Sequence, residues 1–166
     1  MARQLWLLRH AEAEPHGSRE DSARRLTERG EQQARAAGVA FARIGVRFEV
    51  ILYSPKVRAA QTAELAAEGW DEEERERMSV HEPLAGGFEA AQALDAMAGA
   101  GRDGRALLIG HEPDLSQIAA SLTGAKLDLK KGGVAAIRLE GASAELAVLL
   151  RPRDLALIAG VPVGGQ

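Results

Sequence analysis

A three-layer α/β/α sandwich around a mostly parallel sheet is the fold this sequence predicts, on three observations. Short apolar runs alternate with longer segments of helical periodicity, in the order strand, helix, strand, helix, helix, strand, helix, strand, strand. The chain has 166 residues, enough to bury a substantial core as one domain over 1–160, with a flexible tail over 161–166. Three of the strands stop abruptly at residues that carry chemistry, as expected where an open sheet presents one edge to a ligand.

The first strand is the apolar run Leu5-Trp6-Leu7-Leu8, which ends at Arg9-His10-Ala11. Pro15 to Arg25 is polar, contains Gly17 and reads as a loop. Thr27 is a cap for a helix from Glu28 to Arg43, with Glu28 and Glu31 in the first turn, where the helix dipole favours acids. Ala34, Ala37, Val39, Phe41 and Ile44 form its apolar face, and Gly45 ends it. Val50 to Tyr53 is a second strand. Ser54 as N-cap and Pro55 at the first helical position open a helix to about Glu68. Gly69 to Gly87 is irregular, and its acidic run Asp71 to Glu76 reads as a solvated helix end or face. A helix over Phe88 to Ala98 and a turn over Gly99 to Gly104 lead to a third strand, Ala106 to Ile109. Gly110-His111-Glu112-Pro113 then opens a helix through Leu122. Val134 to Leu139 and Leu146 to Leu150 form a hairpin around Gly141 that can add an antiparallel strand, and the tail after Arg153 is expected to fray.

Composition excludes several classes. The net charge of −3, with acids and bases interspersed, gives no surface for nucleic acid or an anionic membrane. With no Cys there is no disulfide framework, thiol nucleophile or Cys-based zinc site. The N-terminus is too polar for a signal peptide and no apolar run spans a membrane, so a cytoplasmic protein is expected, as a monomer and without a cofactor.

In a parallel sheet the ends of the three strands share one edge, so Arg9, His10, Arg58 and His111 are expected to converge. Taken singly, each has a plainer reading: a surface loop for Arg9-His10, an ion pair for Arg58, a core histidine for His111. Together, two guanidiniums, two imidazoles and the helix starts near Pro55 and Pro113 make an anion site suited to a tetrahedral phosphoryl group.

Arg9-His10, Ser54-Pro55-x-x-Arg58-Ala59-x-Gln61-Thr62 and Gly110-His111-x-Pro113 resemble the histidine phosphatase superfamily in order and spacing. The short length and Asp21-x-x-Arg24-x-Leu26-Thr27-x-x-Gly30 look like its SixA-type phosphohistidine phosphatases. One departure is Ala11, where the superfamily usually has Gly. The resemblance implies a phosphoglycerate mutase-like fold, His10 as a nucleophile that forms a phosphohistidine intermediate, Arg9 and Arg58 gripping the phosphoryl oxygens, and His111 stabilising the transferring group. Arg24 is a further candidate phosphate contact, and no metal is required because the arginines supply the positive charge.

The general acid stays open among Asp21, Glu12, Glu82 and Glu89. Asp21 lies in the SixA-like segment, with a salt bridge to Arg24 as its alternative. Glu82 and Glu89 lie where larger relatives deliver a Glu, without a clear match. His16 and His81 read as surface residues. Few insertions are available to wall the pocket, which suits phosphohistidine on a signalling or phosphotransfer protein. The alternatives are a small phosphate ester, for which the 69–90 segment would fold over the pocket, and a phosphate-binding module without turnover.

Overall fold

The computed structural model describes residues 2–162. Its elements are β1 (Arg3–Arg9), α1 (Glu28–Arg43), β2 (Val50–Tyr53), α2 (Val57–Ala66), α3 (Glu72–Arg75), β3 (Met78–Val80), α4 (Ala90–Met97), β4 (Arg105–Gly110), α5 (Asp114–Thr123), β5 (Val134–Glu140), β6 (Ser143–Leu150) and α6 (Pro152–Ala159). One sheet runs in the order β3-β2-β4-β1-β5-β6. The first four of these strands are parallel, β5 is antiparallel to β1, and β6 is antiparallel to β5. Among the described residues no helix is long and apolar enough to cross a membrane.

The continuous apolar run of β1 follows from burial on both faces, because alternate side chains of a strand point opposite ways. Trp6 and Leu8 pack with α1, α2 and α6, in a cluster that includes Phe41, Phe48 and Trp70. Leu5 and Leu7 pack with Phe88, Met97, Leu115 and Ile118 on the side of α4 and α5. The few aromatics are therefore not scattered. Trp6, Phe41 and Phe48 meet edge to face at 5.4–5.9 Å, the arrangement that ring quadrupoles favour.

Thr27 caps α1 as its sequence suggests, accepting the Gly30 N–H at 3.0 Å. The apolar face is rotated from the expected one: Ala34, Ala36, Ala37, Ala40 and Phe41 are buried, Val39 is half-buried and Ile44 is exposed. α1 packs through its small residues, so its backbone lies close to its neighbours. A Cβ on Gly38 would stand 1.9 Å from the Ala66 carbonyl oxygen of α2.

Four expectations are corrected. The helix after β2 starts at Val57, and Ser54 does not cap it; its hydroxyl, fully buried, is drawn instead to His111. α4 begins at Ala90, behind a Phe88 N–H given to the Asp114 carboxylate at 3.2 Å. Residues 69–87 are not irregular: they hold α3 and β3, which extends the sheet beyond β2, and Glu74 is buried with its carboxylate on the Phe48 N–H at 2.7 Å. Arg153 does not begin a frayed tail, because Pro152 to Ala159 is a helix that buries Leu155, Ala156 and Ala159. Its start is closed by the Asp154 carboxylate on the Arg151 N–H at 2.8 Å, and its end by Gly160 in the left-handed conformation. Of the expected flexible tail, residues 163–166 lie outside the described residues.

In an ordinary helix interior, Ala is worth about 1 kcal/mol over Gly. At Gly38 the collision with backbone is expected to win, so Gly38→Ala should lower stability by about 1–3 kcal/mol in urea unfolding. A variant as stable as wild type would show that α1 and α2 do not meet there.

Candidate active site

The edge of the sheet builds the site. Arg9 of β1 is in register with Gly110 of β4, and Tyr53 of β2 with Ile109. Just beyond, the His10 N–H donates to the Gly110 carbonyl at 3.0 Å and the Ser54 N–H to the Ile109 carbonyl at 3.0 Å. Three adjacent parallel strands thus end in step. The His10 and His111 rings lie 5.2 Å apart between centroids, and His10, Arg58 and His111 are all buried.

His10 Nδ1 lies 2.8 Å from the Ala11 carbonyl oxygen. A carbonyl can only accept, so Nδ1 carries the proton and Nε2 keeps the lone pair. The Ala11 N–H donates to the Thr62 hydroxyl oxygen at 3.1 Å, and that hydroxyl donates to the Arg58 carbonyl at 2.7 Å. One side chain of α2 therefore ties the backbone after His10 to the backbone of Arg58. The methyl of Ala11 is buried in a small cluster with Ala13, Leu26 and Ala34, so the position accommodates it.

Arg9 is anchored by its Nη1–H on the Leu129 carbonyl at 2.9 Å, and its buried Nε has no partner among the described residues. Arg58 gives Nη1–H to the Asp21 carbonyl at 2.8 Å and Nη2–H to the Asp21 carboxylate at 3.3 Å. Arg24 is spent on the loop: its Nε and Nη2 donate to the Asp21 carboxylate at 3.2 and 3.0 Å, and its Nη1 to the Glu14 carbonyl at 2.7 Å. Lys56 adds a third cation at 3.2 Å from Asp21. Hydrogen bonds from Arg24 and Lys56 and the field of Arg58 hold the Asp21 carboxyl far below the usual carboxylate range. An ionised carboxylate has no proton to give, so the geometry fits the Arg24 salt bridge better than a general acid.

His111 Nε2 lies 2.8 Å from the Ser54 hydroxyl, which already accepts the Lys56 N–H at 3.2 Å. The buried hydroxyl hydrogen needs an acceptor, and His111 Nε2 is the one within reach. That leaves the proton on His111 Nδ1, a buried donor without a partner among the described residues. Burial lowers the His10 pKa to about 3, and His111, Arg58 and Arg9 add to this against the pull of the Ala11 carbonyl. Burial, then Arg58 and Lys56, lowers that of His111 to about 4. Both imidazoles are neutral at physiological pH.

The other acid candidates fall into two groups. Glu12 is bonded to Thr27 at 3.1 Å and to Arg29 at 3.1 Å, and Glu89 is exposed at the start of α4. Glu82 is exposed in the turn Glu82–Ala85; the preceding His81 N–H binds the Tyr53 carbonyl at 2.8 Å, which puts this turn beside the site edge. His16 lies 3.9 Å from Asp21 on an exposed loop, and His81 is half-buried against Phe88. Ser54, Lys56, Gln61 and Thr62 contribute to the site beyond the expected residues. Gln61 accepts the Leu26 N–H at 2.8 Å and so fixes the loop that carries Arg24. Ser54, Gln61 and Thr62 stand in the quoted motif, so the signal was present, but their partners are remote in sequence. Among the described residues no three His, Asp or Glu side chains cluster in a way that would hold a metal ion.

The ring nitrogen shifts of both histidines should remain those of neutral imidazole at about pH 5 in the free protein, measured by NMR. The unfolded chain binds protons at these two positions below about pH 6.5, and the folded chain does not until about 3 and 4. Stability should therefore fall as pH drops from 6.5 toward 4. A His10 ring titrating near 6.5 would contradict its burial among cations.

The model of the histidine phosphatase superfamily (branch 1) matches residues 5–92, more than half of the chain. An uncharacterised protein of Picosynechococcus sp. is 32% identical over 146 residues, covering 81% of this chain and 84% of its own length. The structure of the protein histidine phosphatase SixA complexed with tungstate superposes with a TM-score of 0.78 at 22% identity, over 92% of this chain and 99% of that one. A mutant phosphoserine phosphatase of Entamoeba histolytica in complex with phosphoserine superposes with a TM-score of 0.71 at 15% identity, over 92% and 99%. These structures share the fold, which is phosphoglycerate mutase-like. Three in-step strand ends carrying Arg9-His10, Ser54 and His111, together with these matches, make the chain a member of the histidine phosphatase superfamily, branch 1.

Proposed function

We propose that the protein is a metal-independent phosphatase that carries phosphate on His10 Nε2 and takes it from phosphohistidine on another protein. The observation that carries the substrate class is where residues 69–87 go. Asp71 pairs with Arg47 at 2.7 Å, and Glu74 and Arg77 bind the Phe48 backbone, all at the end of β2 away from the site. The segment is used to add an edge strand and contributes only its last turn, near Leu84, to the site edge. Few walls remain from which a small ester could draw binding energy for catalysis. A phosphorylated side chain brings its own protein surface. The tungstate in the SixA structure, a tetrahedral oxyanion in a protein of this fold, is consistent with the reading.

In the first step the Nε2 lone pair attacks phosphorus while the bond from phosphorus to the substrate imidazole breaks, its electron pair leaving with that ring. A substrate ring protonated on its other nitrogen departs as neutral imidazole, so no strong general acid is needed. The His10 ring becomes cationic, with its Nδ1–H on the Ala11 carbonyl. Arg9, Arg58 and the free Nδ1–H of His111 hold the phosphoryl oxygens as charge builds. Water then attacks phosphorus, the bond to Nε2 breaks, phosphate leaves, and the water proton passes to the product. Asp21 and Arg24 position Arg58. A small phosphate ester is the second reading, favoured by the phosphoserine phosphatase that shares the fold.

A turnover panel of phosphohistidine protein, phosphoserine peptide and sugar phosphates tests the proposal. Phosphohistidine should be favoured by more than about tenfold in kcat/KM, or roughly 1.4 kcal/mol. A metabolite turned over faster would leave only the phosphatase reading. Acid quench should trap a base-stable adduct on His10, activity should survive a chelator, and His10→Ala should be folded and inactive. Arg58→Ala should lose about 2–4 kcal/mol of transition-state stabilisation. Asp21→Asn should lose similar factors on ester and phosphohistidine; a loss confined to esters would restore Asp21 as the acid.

A further inference from the structure

Beside the site lies an open groove of about 330 Å³ lined by Arg29, Lys130, Arg151, Pro152 and Arg153. It borders the nucleophile through the backbone. Lys130 follows Leu129, whose carbonyl anchors Arg9, and the Gly132 N–H donates to the carbonyls of Arg9 and His10 at 3.1 and 3.0 Å. Arg29 holds Glu12, two residues beyond His10, at 3.1 Å. Three of the four cations have carboxylate neighbours: Glu12 for Arg29, Asp128 for Lys130 and Asp154 for Arg151. Among the described residues Arg153 has only the field of Asp154, which already accepts three hydrogen bonds from Arg151.

The groove therefore keeps a positive excess on a chain whose net charge is −3. Its position, flanking the phosphoryl site without belonging to it, gives these cations no part in the bond-breaking steps. Side chains of Lys130 and Arg151 are 58% and 52% exposed, too open to enclose a small molecule but accessible to another surface. Charges at such a rim act by steering a complementary partner.

We propose that this groove docks acidic residues flanking the phosphohistidine of a protein substrate, an inference that rests on the phosphohistidine reading above. The probes are two synthetic peptides with one phosphohistidine, flanked on both sides by Glu in one and by Lys in the other, and phosphoimidazole, which has no flanks. Wild type should prefer the Glu-flanked peptide by about tenfold or more in kcat/KM, and the preference should shrink as salt is raised. In Lys130→Glu/Arg153→Glu the preference should vanish or reverse, with phosphoimidazole turnover held within about twofold, which also reports that the variant is folded. Equal use of both peptides by active wild type would overturn the docking surface alone. No turnover of either peptide or of phosphoimidazole would overturn the phosphohistidine reading and this inference with it.

Discussion

The site depends on one shared carboxylate. Arg24 and Arg58 are each only 5% exposed, and two buried guanidiniums side by side repel one another. Burying a charge without a counter-charge is among the costliest events in folding. Asp21 lies between them, with Lys56 on its open side, and accepts from all three. Its backbone carbonyl accepts a further hydrogen bond from Arg58, so the loop before α1 cannot leave without stranding two cations. The polar stretch between the first strand and the first helix is therefore a brace for Arg58, whatever substrate is turned over.

The polar interior is concentrated in the same place. Among the described residues the buried polar or charged ones are His10, Arg24, Gln33, Ser54, Arg58, Thr62, Glu74 and His111, and all but Glu74 belong to the site or its immediate support. Gln33 takes the Glu12 N–H at 3.0 Å from the α1 side, as Thr62 takes that of Ala11 from α2. Elsewhere both faces of the sheet are packed with Ala, Leu and aromatic side chains. An apolar scaffold thus fixes the strand ends, and the polar groups have only one edge at which to find one another.

Much of this was legible in the residues. The apolar run of β1 and its stop at Arg9-His10 gave the strand and its functional end together, and the Thr27 cap located α1. β3 was not legible, because three residues with two exposed side chains carry no periodicity; its place is decided by pairing with β2. α6 carried its own signals, Pro152 and Gly160, but lies in a segment whose glycine-rich end read as tail. Ser54 looked like a cap because Ser-Pro is a strong helix start. What overrode that local preference was a buried imidazole 57 residues away in need of a hydroxyl. Of the Asp21 network only the local pair with Arg24 was legible, for the same reason: Lys56 and Arg58 reach it only across the fold.

The Thr62 hydroxyl, bridging the Ala11 N–H and the Arg58 carbonyl, carries a last consequence. Because a single rigid β-branched side chain on α2 spans both backbones, the chain after His10 and Arg58 are not free to drift apart. Their spacing is a dimension of the fold, like the distance between a strand and the helix packed on it. The entropy of assembling the site is therefore lost once, during folding, and the phosphoryl group proposed above would meet a preorganised cage instead of having to gather one.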